Sequence, residues 1–328
     1  MKKVPRDLLD FIKNGNKFII AGHREPDGDC IGSQLALDSV LRRAGKKTIL
    51  LSAGSFDRTE IKKYKKFFKS KIDEKLKKGA RLIITDCTKL ERTGDLAPLL
   101  EGLPSALIDH HKSENTSHNK GVLKKHYPAY IDTKASSTTL LILYLIKALG
   151  MEMTKEEAEY ILFGLCTDTG FFRHLSSENS EAFEAAAMLV KAGANPKKVH
   201  AAMYGGKSLG SRLLLAHVLQ NIEPHFNGAL IIATEEYEET QTHGKEGRDS
   251  DMLYQLLQSI SGVKAIAVIR QEKPDNCTIG LRSLDKIDVD IIARKLGGGG
   301  HKNAAGGSIP GTISEVKKKV LKNFRLYM

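Results

Sequence analysis

The chain contains no tryptophan, and aromatic residues make up only 6% of its 328 positions. A broad aromatic platform on which successive bases could stack, as in generic single-strand-binding proteins, is therefore not expected. Cysteine is scarce as well: Cys30, Cys87, Cys166 and Cys277 show neither metal-finger spacing nor the density of a disulfide scaffold. No apolar run approaches the roughly 18 residues that cross a bilayer. Residues 1–20 lack the long apolar core of a signal peptide. These absences predict a protein of the reducing cytoplasm that makes no use of a membrane.

What is present is a chain long enough for two domains, with 41% hydrophobic and 27% charged residues. The formal net charge of +12 favours polyanionic partners. Residues 62–78 alone carry nine lysines, read here as the solvated face of an amphipathic helix, with RNA docking as the alternative.

Apolar runs at Lys17–Ala21, Thr48–Leu51, Arg81–Thr85 and Ser105–Ile108 read as strands. Between and after them lie helical patterns at Ile31–Arg43, Thr138–Leu149, Glu156–Cys166 and Ser180–Lys191. Strands alternating with helices predict an α/β fold with a mostly parallel, doubly wound sheet over residues 1–195. Turn formers place a linker at 196–215. A smaller α/β domain is expected over 216–328, with strands near Ala229–Thr234, Ala265–Arg270 and Cys277–Arg282. A helix at Val289–Leu296 and a four-glycine turn, Gly297–Gly300, complete it.

Polar motifs follow these strands directly, at the carboxyl ends where open α/β sheets gather ligands. The first holds His23, Asp27, Gly28 and Asp29, followed by Gly32 and Ser33. Read alone, Asp29 is equally well a helix N-cap and Asp27 a turn residue. Asp86 closes the third strand, Asp109-His110-His111 closes the fourth, and Asp168 lies in a Thr-rich helix end. Each is ambiguous alone, but four carboxylates (Asp27, Asp29, Asp86, Asp168) on one sheet edge would repel strongly without cations. Two divalent ions balance that charge. Oxygen donors with two imidazoles and no thiolate suit Mn²⁺ first and Mg²⁺ second. Cys30, Cys87 and Cys166, each close to a motif aspartate, read as buried packing.

These motifs, in this order, resemble the DHH phosphoesterase superfamily, named for a triplet like that at 109–111. Arg282, together with Gly298-Gly299-Gly300-His301 and the residues up to Gly306, resembles the DHH-associated substrate domain. The pairing of the two is most similar to the NrnA-type branch. The resemblance implies that His23 and Asp27 hold one metal, that Asp29, His110 and Asp168 hold the other, and that Asp86 bridges both. It implies that Asp109 orients a neighbouring imidazole while His111 faces substrate and protonates the leaving oxygen. Gly298, Gly299, Gly300, His301 and Arg282 would hold the rest of the substrate, with Arg173 a further candidate. The implied activity is hydrolysis of short oligoribonucleotides to mononucleotides and of 3′-phosphoadenosine 5′-phosphate to AMP. Substrate held between lobes would be confined to short molecules. Alternatives are hydrolysis of cyclic or linear dinucleotides such as c-di-AMP and pApA, an inorganic pyrophosphatase or exopolyphosphatase, and a non-catalytic RNA-binding protein. A homodimer is left open.

Overall fold

The apolar runs of the first half form strands β1 (Lys17–Ala21), β2 (Lys47–Leu51), β3 (Arg81–Thr85) and β4 (Ser105–Asp109), joined by β5 (Ala129–Ile131). The computed structural model describes residues 3–111, 127–243 and 247–328. All five strands are parallel, in the order β2-β1-β3-β4-β5. Phe18, Ile19, Ile20 and Ala21 are all fully buried, because helices or turns cover the sheet on both faces. Phe18, Ile20, Ile83 and Ile108 pack in one core with the helices Gly28–Arg43, Thr138–Ala148 and Lys155–Asp168. On the other face Ile19, Leu82, Ile84 and Leu107 meet Leu90, Leu96 and Leu100. The strand order reverses between β1 and β3, so the crevice for ligands lies beyond the carboxyl ends of those two strands.

The helix read from Ile31 starts at Gly28, because Asp27 caps it. Its Oδ1 accepts the N–H groups of Asp29 and Cys30, each at 3.0 Å. The cap is thus Asp27, not Asp29, which lies fully buried in the first turn. This helix crosses Lys155–Asp168 at very close range: a Cβ on Gly32 would stand 2.6 Å from the Tyr160 carbonyl oxygen.

The lysine-rich stretch is not one amphipathic helix. It breaks into a short helix (Thr59–Lys62), a 3-10 turn (Lys65–Phe67), a bridge from Lys69 to Leu51 on β2, and a second short helix (Glu74–Lys77). Like charges at helical spacing oppose a continuous helix, and Phe68 packs on Phe56 instead.

Contacts divide the chain after Gly206. The segment 196–215 is mostly helical rather than open, with Pro196–Tyr204 and the start of Leu209–Gln220 inside it. Its Asn195 and Ser208 are N-caps, accepting from Lys198 N and Ser211 N, so the turn formers there mark helix starts.

The second unit is built on six strands: β6 (Ile222–His225), β7 (Leu230–Glu235), β8 (Ala265–Lys273), β9 (Asn276–Ser283), β10 (Gly299–His301) and β11 (Ala304–Pro310). Their order is β10-β11-β9-β8-β7-β6, with only β7 and β8 parallel. Burial alternates along β9: Cys277, Ile279 and Leu281 face a core with the helices Val289–Lys295 and Ile313–Phe324. Thr278, Gly280 and Arg282 point to the other face. The expected four-glycine turn is shorter than read, since Gly299 and Gly300 enter β10 and pair with Gly306 and Ala305. That pairing gives their backbone groups partners that an open turn would not. Among the described residues no helix is long and apolar enough to cross a membrane.

Candidate metal centre

At the carboxyl edge of the first sheet, the motif side chains converge. His23 follows β1 and is buried; its Nε2 lies 3.2 Å from Asp86 Oδ2 and 4.0 Å from Asp27 Oδ1. Asp86 follows β3 with φ +62, a left-handed conformation that costs a non-glycine residue energy. That turn aims its other oxygen, Oδ1, to within 3.9 Å of His110 Nε2 and 3.6 Å of His111 Nδ1. The two oxygens of one carboxylate thus face imidazoles on two sides.

His110 is held from behind, its Nδ1 3.1 Å from the Ala135 carbonyl oxygen, to which it donates. Its Nε2 then faces Asp168 Oδ2 at 3.4 Å, Asp86 Oδ1 at 3.9 Å and Asp29 Oδ2 at 4.0 Å, with no hydrogen-bond partner. Asp29 is clamped at the start of the helix Thr138–Ala148. It accepts Thr138 N at 2.6 Å, Thr139 N at 2.9 Å and the Thr139 hydroxyl at 2.7 Å. The Thr138 hydroxyl donates to Asp86 Oδ1 at 2.9 Å.

Burial pushes the Asp29 and Asp86 carboxyls up, and in Asp86 the neighbouring carboxylates push further. Asp168 rises to about 7, mainly through burial and then through Asp29. Burial lowers His23. His111 is raised by its hydrogen bond to Asp109, 2.8 Å from Nδ1 to Oδ1. Asp109 is fully buried and also accepts the His111 backbone N–H.

The donor set fits divalent cations. One ligand atom each from Asp29, His110 and Asp168, or from Asp86, His110 and His111, lie within 4.8 Å of one another. An unpartnered imidazole nitrogen among three carboxylates is repulsive unless a cation shares the space. Cys30 Sγ also lies within that range of His23 and Asp86. Burial and two nearby carboxylates keep its thiol far above its ordinary pKa, so it packs as a neutral group.

The structure brings together His23, Asp27, Asp29, Asp86, Asp109, His110, His111 and Asp168. Arg173, five residues beyond Asp168, is exposed, with its Nη2 3.4 Å from His174 Nε2. Sequence reasoning missed Thr138, Thr139 and Ala135. The signal was the run Ser136-Ser137-Thr138-Thr139 ahead of an apolar helix, a helix-start signature whose N–H groups are free to hold an anion.

In the second unit, antiparallel register places Arg282, Ala304 and His301 side by side on one face. The next row on that face is Gly280, Gly306 and Gly299, a strip of sheet with no side chains. A Cβ on Gly298 would stand 2.3 Å from the Gly306 carbonyl oxygen, so that position also admits only glycine.

Residues 17–165 match the DHH family, N-terminal domain, and residues 229–328 match the DHHA1 domain. A bifunctional oligoribonuclease and PAP phosphatase NrnA from Thermus thermophilus is 30% identical over 307 residues, 93% of this chain and 88% of the relative. The chain belongs to the DHH family of phosphoesterases. As a DHH phosphoesterase it is a hydrolase acting on phosphate esters. A cyclic-di-AMP phosphodiesterase, PdeA, from Listeria monocytogenes is 26% identical over 99% of the chain, which spans only 50% of that relative's length. Among solved structures, an exopolyphosphatase-related protein from Bacteroides fragilis superposes with a TM-score of 0.79. It is 24% identical, covers 98% of this chain and 95% of its own, and supports the fold.

Proposed function

We propose that this DHH phosphoesterase uses two divalent ions, Mn²⁺ in preference to Mg²⁺, to hydrolyse short oligoribonucleotides to mononucleotides and 3′-phosphoadenosine 5′-phosphate to AMP. The observation that carries the two-ion reading is His110, whose unpartnered Nε2 is ringed by Asp29, Asp86 and Asp168. In this reading His23 and Asp27 hold one ion, and Asp29, His110 and Asp168 hold the other. Asp86 serves both, as its two oxygens facing His23 and His110 support. Such a pair of ions, when bound, makes water nucleophilic near neutral pH and offsets charge growing on the phosphoryl oxygens.

The protein's own part is positioning and proton transfer. Thr138 and Thr139 lock Asp29 and Asp86 in place. His111, about half exposed, is held at Nδ1 by Asp109 and keeps Nε2 for the leaving sugar oxygen. Its raised pKa favours the protonated form that a general acid needs. Arg282 and His301 take the substrate's second phosphate or terminal nucleotide. The NrnA relative supports the substrate class.

A second reading, hydrolysis of cyclic or linear dinucleotides, is favoured by the likeness to PdeA over almost the whole chain. The test is a panel of initial rates with added Mn²⁺. It comprises 5′-labelled RNAs of two, five and about twenty nucleotides, 3′-phosphoadenosine 5′-phosphate, c-di-AMP, pApA and pyrophosphate. Fast cleavage of the shortest RNAs and release of phosphate from the bisphosphate support the proposal. Turnover confined to c-di-AMP replaces it with the second reading.

A further inference from the structure

Arg282 lies on the face of β9 whose β8 neighbours, Ile266 and Val268, pack with Leu253, Tyr254 and Leu257. Its guanidinium carbon lies over the Tyr254 ring, 4.2 Å from the centroid, and its Nη1 donates to the Leu281 carbonyl at 3.0 Å. Tyr254, on the helix Ser250–Gln258, is only 7% exposed and belongs to that buried cluster. It lies on the glycine row: a Cβ at Gly280 would come within 2.0 Å of the Tyr254 hydroxyl oxygen. Burial raises the pKa of that hydroxyl, and the positive charge of Arg270 opposes this larger effect by favouring ionisation. Arg270 is fixed in turn by buried Glu235, 3.2 Å from Nε, and by the Ser250 hydroxyl, 3.1 Å from Nη2. Arg248 holds the opposite oxygen of Glu235 at 2.6 Å.

We infer that Tyr254 is a positioning residue for substrate binding: its ring, held by burial against Leu253 and Leu257 and by the space above Gly280, fixes the guanidinium of Arg282 toward a phosphate of the substrate. A guanidinium stacked on a ring loses little further freedom when it takes a phosphate on its free edge, so prior stacking raises affinity. The glycine at 280 is what leaves room for the ring. This inference rests on the role proposed above for Arg282 and adds a residue to it.

The experiment compares KM and kcat of the Mn²⁺-loaded full chain on pApA for Arg282→Ala, Tyr254→Leu, Tyr254→Phe and the double variant Arg282→Ala/Tyr254→Leu. The expected result is a rise in KM of about tenfold for Arg282→Ala and a similar rise for Tyr254→Leu, with kcat moving less. Tyr254→Phe, which keeps the ring, restores KM to within about threefold of the parent. The double variant is no worse than Arg282→Ala alone, since a support with nothing left to support has no further effect. If Tyr254→Leu does not fold, Gly280→Ala presses on the same ring without touching Arg282, and the same rise in KM is expected. Additive losses in the double variant, or a normal KM in Tyr254→Leu, overturn the inference while leaving Arg282 in place. A normal KM in Arg282→Ala instead removes the role of Arg282, and the inference with it.

Discussion

His110 Nε2 stands 3.4 Å from Asp168 Oδ2 without a hydrogen bond, because the ring proton is used at Nδ1 on the Ala135 carbonyl. Two acceptors facing each other at that range, with Asp29 and Asp86 close by, describe a place prepared for a cation.

In the proposed centre Asp86 is shared by both ions, its two oxygens facing His23 and His110. Asp86→Ala is expected to reduce bound Mn²⁺ from about two per chain to less than one, and turnover by at least about 10³-fold. Metal analysis of the purified variant, alongside rates on a dinucleotide, checks this; normal content and turnover would refute the shared role.

Thr139 gives Asp29 both a backbone and a hydroxyl donor. Thr139→Val keeps the shape and removes the hydroxyl. Metal affinity should fall about 10- to 100-fold, the usual effect of removing a group that orients a ligand. Titration with Mn²⁺ reads this directly, and activity should return at high Mn²⁺. No change in affinity would mean that the helix N–H groups suffice.

The His111–Asp109 pair sets the alkaline limb of the rate profile. With the pKa of His111 raised by Asp109, the general acid stays protonated to higher pH, and kcat falls only as pH rises through that value. Asp109→Asn should move the limb to lower pH, and His111→Gln should lower kcat by about 10²- to 10⁴-fold and flatten it. An unshifted limb in Asp109→Asn would separate the two residues.

Metal stabilisation should grow with pH. A carboxyl whose folded pKa is raised contributes stability that is present below its ordinary value of 3.8 and lost as pH rises through the folded value, about 7 for Asp168. Asp29 and Asp86 share that sign. His23, lowered by burial, has the opposite sign, its contribution being lost as pH falls below its ordinary 6.5. Metal ligation needs all four deprotonated, so it opposes the loss at high pH and competes with protons at low pH. The increase in Tm on adding excess Mn²⁺ to metal-free protein should therefore be larger at pH 8 than at pH 5.5. Equal increases, measured by scanning fluorimetry, would contradict the carboxylate cluster as the binding place.

Four of the five strands in the first unit were legible, because β1 to β4 are apolar runs ended by polar motifs. β5, three residues long, lacks enough sequence to show a period. The ligand residues could be read from the strand ends on which they sit. Their supports could not: Thr138 and Thr139 lie 109 and 110 residues from Asp29, and only the folded chain joins them. In the second unit, β10 and β11 were hidden by glycine and alanine, which signal turns in isolation. Here they pair as strands, and at Gly300 and Gly306 a Cβ would meet backbone atoms of the neighbouring strand. Tyr254 was silent in the sequence for a related reason: nothing local to its helix indicates that Gly280, on β9, makes room for it.

The crossing of Gly28–Arg43 and Lys155–Asp168 has one further consequence. Asp29 rides on the first helix and Asp168 on the second, and at Gly32 the nearest atom is the Tyr160 carbonyl oxygen of the second helix. At Gly164 a Cβ would stand 2.3 Å from Thr139 Cγ2 and 2.9 Å from Asp29 Oδ1, so that contact is equally hard. Glycine at both contact points lets the two helices approach this closely. A side chain at either glycine would push one helix, and the carboxylate it carries, away from the other, so the separation of Asp29 from Asp168 depends on two residues that have no donor atom in their side chains.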